Sequence, residues 1–201
     1  MARRRAASRP PGSVRIIGGR WRGRRVSVPD VRALRPTADR IRETLFNWLT
    51  GRVAGSRIAD LFAGTGILGL EALSRGAARA VFVERDRRLA DGIEDHLREY
   101  GCGDARVISE DAYDWLARGV PEPFDIVFLD PPYSHGRVAE LCTLLADRGW
   151  LASDALVYLE YDRRTPPEMP PSFFAWREKT AGNVRFLLLE RGDQAVNGEE
   201  E

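Results

Sequence analysis

The sequence predicts an α/β fold: a Rossmann-like, mostly parallel sheet with helices on both faces, preceded by a β-hairpin extension. Three observations carry that expectation. From residue 57 onward, short apolar runs alternate with helix-like segments. Those runs are apolar at consecutive positions, as strands covered on both faces must be. The first of them leads through a glycine-rich turn, "AGTGILG", into a helical segment.

Taken in order, residues 1–12 are mainly Arg, Ala, Ser, Pro and Gly, a composition that predicts a disordered basic tail. In 13–36, "SVRIIGGRWRGRRVSVPD" sets two β-prone runs around a middle rich in Gly and Arg, which predicts a hairpin. The main domain is expected over 37–191. It opens with a helix in "RPTADRIRETLFNWL", where Thr37 is a plausible N-cap and Ile41, Leu45, Trp48 and Leu49 share one face. Strands are expected at 57–63, 79–84, 105–109, 124–130 and 155–161, with helices around 67–75, 87–100, 112–118 and 136–147. "FFAWREKT" and "NVRFLLLER" flank Ala181 and Gly182 and read as an antiparallel hairpin. Residues 192–201 form a second, acidic tail, expected to be disordered.

The 201 residues fit one domain with an appendage. Cys102 and Cys142 are far apart and without ligand spacing, and His96 and His135 make no metal cluster. A reduced, cytoplasmic protein without metal is expected, with no membrane span and no secretory leader. The net charge of +1 conceals an asymmetry. Residues 1–40 carry twelve arginines against Asp30 and Asp39, a local +10, which leaves −9 for the rest. A basic arm on an acidic body suits a polyanionic partner such as nucleic acid.

Gly64, Gly66 and Gly69 complete a G-x-G-x-x-G between a strand and a helix, the pattern of dinucleotide sites. Asp60, four residues earlier, argues against a pyrophosphate there. A carboxylate about 5 Å from that group would cost roughly 3 kcal/mol at an effective dielectric near 20. The same carboxylate favours S-adenosylmethionine, which carries an ammonium and a sulfonium and no phosphate. Glu84 ends the next strand and can accept from both ribose hydroxyls. Asp111 could accept from the adenine amine while Ala112 offers a backbone N–H; equally, Asp111 could cap a helix.

Asp130 ends the fourth strand, at the edge where open α/β sheets bind ligands. An exocyclic amine on a nucleobase is planar and a poor nucleophile. Two acceptors that hold both its hydrogens would orient its lone pair toward a methyl donor. The Asp130 carboxylate and the Pro131 carbonyl can be those acceptors. Pro131 and Pro132 stiffen the chain and remove competing N–H groups, and Tyr133 can stack on the base.

"DPPY" resembles the catalytic motif of methyltransferases that act on exocyclic nitrogens of nucleobases. With "DLFAGTGILGLEAL", it is similar to the class I S-adenosylmethionine-dependent methyltransferases. "RIIGGRWRGRRVSVP", "LRPTADRIRETLFNWL" and "REKTAGNV" extend the resemblance to the bacterial RsmD family of 16S ribosomal RNA guanine-N2 methyltransferases, over about residues 14–191.

The resemblance implies methylation of one guanine N2, guanine 966 in standard 16S numbering, on a small subunit already carrying ribosomal proteins. It implies a seven-stranded sheet with an antiparallel last strand. It places Gly64, Gly66 and Glu84 in cofactor binding, with Phe62 and Ala63 beside them, and Asp130, Pro131, Pro132 and Tyr133 in catalysis. The family often has phenylalanine at the position of Tyr133. Arg15, Arg20, Arg22, Arg24, Arg25, Arg35, Arg40 and Arg42 would hold RNA phosphates, with Trp21 as a stacking candidate. A monomer is expected. Two alternatives stay open: an adenine-N6 methyltransferase on DNA or another RNA, and a non-catalytic RNA-binding assembly factor.

Overall fold

The computed structural model describes residues 12–28, 36–131 and 137–192. The tails 1–11 and 193–201, Arg35, Pro132 and Tyr133 lie outside the described residues, as does the side chain of Thr37. A two-stranded hairpin of β1 (Gly12–Arg15) and β2 (Arg25–Val28) precedes helix α1 (Pro36–Trp48). The main domain then alternates β3 (Arg57–Asp60), α2 (Ile67–Ser74), β4 (Arg79–Val83), α3 (Arg87–Glu99), β5 (Ala105–Ile108), α4 (Ala112–Arg118), β6 (Phe124–Leu129) and α5 (Val138–Asp147). It closes with β7 (Leu151–Asp162), β8 (Phe173–Ala181) and β9 (Val184–Arg191).

The sheet order is β5-β4-β3-β6-β7-β9-β8. Strands β3 to β7 pair in parallel, and β9 enters antiparallel between β7 and the edge strand β8. The chain reverses its direction of travel across the sheet at β3, which opens a crevice beyond the C-terminal ends of β3 and β6. β3 stops at Asp60, three residues short of expectation, where the chain enters the glycine turn; the Leu61 and Ala63 N–H groups still reach the carbonyls of Phe128 and Val83 on the neighbouring strands. β7 starts earlier than expected and contains an irregularity. Phe124 pairs with Leu151, but Ile126 pairs with Leu156, so β7 carries three extra residues there.

Period-two alternation divides the core into two layers. Ile58, Phe82, Ile126, Phe128 and Tyr158 face α1, α2, α3 and the hairpin. Ala59, Val81, Val127, Leu129 and Leu159 face α4 and α5. The helical face expected of α1 is buried at Ile41, Leu45 and Leu49, while Trp48 stacks on Phe186 at 5.2 Å.

The hairpin is bound to the domain through α2 and α3. Glu71 of α2 is fully buried and accepts the Ile17 N–H at 2.7 Å, the Gly18 N–H at 2.8 Å and Arg75 Nε at 2.8 Å. Arg42 Nε lies 4.0 Å from it, and the Arg42 guanidinium donates to the Arg15 carbonyl at 2.7 Å. Ser74 accepts the Trp21 N–H and donates to the Gly18 carbonyl, and the Tyr100 hydroxyl donates to the Arg25 carbonyl.

Candidate active site

Four carboxylates line the crevice on one face of the sheet. Asp60 is in register with Phe82 on one side and Phe128 on the other, and Phe128 is in register with Tyr158. Glu84, Asp130 and Glu160 each lie two residues beyond these partners and therefore project to the same face. The row Glu84–Asp60–Asp130–Glu160 thus crosses four adjacent strands.

At its first end lies the glycine turn. Gly64 and Gly66 take φ of +56° and +76°, a region that L side chains rarely adopt. Their surroundings differ. A Cβ on Gly66 would stand 2.9 Å from Ile93, and one on Gly69 would stand 2.3 Å from the Phe82 ring. A Cβ on Gly64 would meet only the Phe62 carbonyl, at 3.9 Å. Gly66 and Gly69 therefore permit close packing, whereas Gly64 leaves open space over the turn. Glu84 Oε2 accepts the Gly64 N–H at 2.8 Å and Oε1 accepts the Asp86 N–H at 2.8 Å. Each oxygen keeps a second lone pair for a ribose hydroxyl. An open turn beside a fixed, half-buried carboxylate fits the methionine and ribose parts of S-adenosylmethionine.

Asp60 is 3% exposed, and its Oδ2 accepts the Gly69 N–H at 3.0 Å, anchoring the first turn of α2. Burial, opposed by that bond and aided by the charge of Glu84, raises its carboxyl from 3.8 to about 7. It lies beneath the turn, its carboxylate tied to the start of α2. Phe62 is half-buried and meets the Tyr113 ring edge-on at 6.1 Å, forming a wall. Ala63 is buried within the turn. For Asp111 the structure favours the cap: its Oδ1 accepts the Tyr113 N–H at 2.9 Å at the start of α4. Ala112 is the first residue of α4, so its N–H has no partner inside the helix.

Asp130 follows β6 and is reached by solvent, while Pro131 beside it is buried. Its dense surroundings and the charges of Glu160 and Asp60 raise the Asp130 carboxyl well above 3.8. Glu160 was not among the residues expected from the sequence. It stands one residue before the end of the run "ALVYLEY", and a carboxylate near the end of an apolar run, as Asp130 is in "FDIVFLD", is the signal that could have found it. The Tyr158 hydroxyl donates to Glu160 Oε1 at 2.5 Å.

Beyond Glu160 the sign of charge changes. Glu160 is in register with Phe186 of β9, and Phe186 borders a cavity of about 520 Å³ lined also by Arg40 and Thr44 of α1 and by Lys179, Thr180 and Gly182. Among the described residues, neither Arg40 nor Lys179 is in an ion pair, and both are exposed. Lys179 is a second residue missed by sequence reasoning, although "REKTAGNV" contains it.

Two expected RNA contacts are overturned. Trp21 is 4% exposed, with its ring 5.0 Å from Tyr100, so it is part of the core and cannot stack on a base. Arg42 is 3% exposed and committed to Asp39, Glu71 and the Arg15 carbonyl. The hairpin arginines also lie elsewhere than beside the crevice. Arg20 N–H bonds the Ser74 carbonyl at the end of α2, and Arg24 reaches the Glu99 carbonyl at the end of α3. Helices that follow parallel strands run back from the crevice, so Arg24 is about 18 Å along α3 from it. Arg15, Arg20, Arg22, Arg24 and Arg25 are nevertheless exposed and form a cationic outer surface. No group of three His, Cys, Asp or Glu among the described residues could hold a metal ion, and no helix there is long and apolar enough to cross a membrane.

Known proteins resemble this chain in sequence and fold. The family model described as "Conserved hypothetical protein 95" matches residues 14–190. Ribosomal RNA small subunit methyltransferase D of Escherichia coli is 46% identical over 185 residues, covering 91% of this chain and 92% of that protein. A solved Escherichia coli structure described as a methyltransferase, yhhF, superposes with a TM-score of 0.83 at 46% identity, over 91% of this chain and all of that one. A tRNA (guanine(10)-N2)-dimethyltransferase of Methanothermobacter thermautotrophicus is 40% identical over 85 residues, 42% of this chain and 24% of that protein. SMU.776, a methyltransferase solved with S-adenosylhomocysteine, shares the fold alone, with a TM-score of 0.61 at 14% identity over 78% of this chain and half of that one. The chain therefore belongs to the family of that model, the RsmD methyltransferases, whose methyl donor is S-adenosylmethionine.

Proposed function

We propose that the protein methylates the exocyclic N2 of one guanine in 16S ribosomal RNA, guanine 966 in standard numbering, within the small ribosomal subunit. The observation that carries this reading is the position of Asp130. It stands solvent-reachable at the crevice floor, one strand from Asp60 and the open glycine turn, with buried Pro131 next in the chain. S-adenosylmethionine, when bound, supplies an electrophilic methyl group. Gly64 and Glu84 would hold it, with Asp111 and Ala112 near its base.

Asp130 and the Pro131 carbonyl would accept the two N–H groups of the target amine and so hold its lone pair in line with the methyl group. The base must leave its stack to reach this depth. The cavity of Arg40, Thr44, Lys179 and Thr180 suits a phosphate of the same strand, and the outer hairpin arginines suit more distant ones. The acceptor geometry alone serves guanine N2 and adenine N6 alike. The methyltransferase D relative supports ribosomal RNA, and the partial match to a guanine-N2 enzyme supports the base.

The test is nucleoside analysis of small-subunit RNA after incubation with the protein and S-adenosylmethionine. N2-methylguanosine at a single position is expected. N6-methyladenosine would overturn the base assignment, and no methylation at all would favour the assembly factor. In the same assay Asp130→Ala should lower the single-turnover rate by about 10²–10⁴-fold with S-adenosylhomocysteine affinity retained.

A further inference from the structure

Glu160 is the one member of the carboxylate row that the mechanism above leaves unused. Leu159 is in register with Leu129, so Glu160 stands directly beside Asp130 on the same face. It is half-buried, and its carboxyl is oriented by the Tyr158 hydroxyl. Among the described residues no cation pairs with it. The charged groups acting on Asp130 are Glu160 and, from β3, Asp60; Glu84 lies beyond Asp60. From β9 the neighbour is the uncharged Phe186, and Arg40 of α1 and Lys179 of β8 open into the cavity on its far side. Burial raises the Glu160 carboxyl as well. Two carboxyls held this close, with no cation between them, retain a proton more tightly than either would alone.

We propose that Asp130 and Glu160 act as one proton-accepting pair, in which Glu160 makes Asp130 basic enough to take the proton lost from the target nitrogen. This deepens the reading of Asp130 given above and rests on it. During transfer the nitrogen lone pair forms the N–C bond. The C–S bond breaks with its electrons going to sulfur, which loses its positive charge. One N–H bond breaks, leaving its pair on nitrogen, and the proton passes to the Asp130 oxygen that had accepted that hydrogen. From there it reaches water, since Asp130 is open to solvent. Glu160 does not touch the substrate; it is a positioning residue that acts through the charge of Asp130.

The experiment is a single-turnover pH profile with saturating S-adenosylmethionine and small-subunit particles. Wild-type protein should show a rate that rises with pH along a limb above the ordinary carboxylate range. Glu160→Gln keeps an acceptor for Tyr158 and removes the charge. Its limb should move down by about one pH unit or more, and its high-pH rate should fall roughly three- to tenfold because Asp130 becomes a weaker base. Glu160→Asp should restore much of the limb position. A uniformly slower Glu160→Gln variant with an unmoved limb would overturn the pair, since a merely structural role predicts that result. Should Glu160→Gln fail to bind S-adenosylhomocysteine, the Glu160→Asp profile decides: a limb that stays above the ordinary carboxylate range supports the charge effect on Asp130, and a limb that falls to the ordinary carboxylate position overturns it. A product other than N2-methylguanosine would sink the base assignment and leave the pair standing, because adenine N6 also loses a proton on methylation.

Discussion

Replacing Glu71 by glutamine tests whether the hairpin is an integral part of the enzyme. Wild-type Glu71 has no exposed surface and receives three hydrogen bonds of 2.7–2.8 Å, two from backbone N–H groups and one from Arg75. Hydrogen bonds to a charged acceptor contribute roughly 1.5–3 kcal/mol each. The amide keeps one acceptor oxygen but turns an NH₂ group toward a donor, leaving a buried clash of like partners. It also leaves Arg42, 3% exposed, without its buried counter-charge. Removing one partner of a buried ion pair costs about 3–5 kcal/mol, and the losses overlap, so the same range is expected in total. For a domain of this size that corresponds to a fall in melting temperature of roughly 6–20 °C. Denaturant unfolding followed by tryptophan fluorescence is the assay, because Trp21, in the loop of the hairpin, is packed against Tyr100 of the domain. Proteolysis within the hairpin should accelerate at temperatures where the sheet is still folded. A destabilisation below about 1 kcal/mol would refute the view that Glu71 holds the arm.

The glycine turn separates folding from binding. Gly69→Ala should destabilise the fold by about 1–3 kcal/mol through overlap with Phe82, whereas Gly64→Ala should weaken S-adenosylhomocysteine binding by about tenfold or more, both read by calorimetry and unfolding. Cofactor binding should also be linked to protons. Asp60 ionises in the folded protein near 7 instead of 3.8, so its contribution to stability is present below 3.8 and is lost as pH rises through 7. A bound cation favours its ionised form; S-adenosylmethionine should therefore release about half a proton at pH 6, and more than S-adenosylhomocysteine does. Titration calorimetry in two buffers of different ionisation enthalpy measures this, and equal heats would remove Asp60 from the cofactor's field. Finally, Lys179→Ala and Arg40→Ala should each reduce the log–log salt slope of RNA binding by about 0.7 while leaving cofactor affinity unchanged; filter binding at several salt concentrations decides it.

The sheet was legible because its strands are apolar at consecutive positions, and the places of Glu84 and Asp130 because a carboxylate closing such a run stands at the strand end, on the edge that borders the crevice. Other residues were misread for a shared reason: their roles depend on partners far away in sequence. Trp21 sits in an arginine-rich loop that looks solvated, and only Tyr100 and Ser74 turn it inward. Arg42 has Asp39 three residues before it, the pattern of a surface helix pair, yet Glu71 and the Arg15 carbonyl bury it. Asp111 is ambiguous by chemistry, since helix caps and amine acceptors draw on the same side chains. The distance of the hairpin turn from the crevice could not be read at all, because it follows from the direction in which α2 and α3 run.

The three extra residues of β7 decide which side chain Asp130 meets. Had β7 continued from the Phe124–Leu151 pair without interruption, Asp130 would stand opposite Val157, a residue of the other face's core. An insertion of odd length reverses the parity of a strand, sending each later side chain to the opposite side. The irregularity thus works as a phase setter: it trades a valine for a carboxylate at the reacting end of the sheet without altering one residue of the apolar run. Excising three residues between Leu151 and Leu156 would keep the strand order and exchange the faces of everything after it, delivering Glu160 past the end of β6 and away from its neighbour. The chemistry of this crevice is therefore encoded partly in strand length, a quantity that comparison of residue types alone does not reveal.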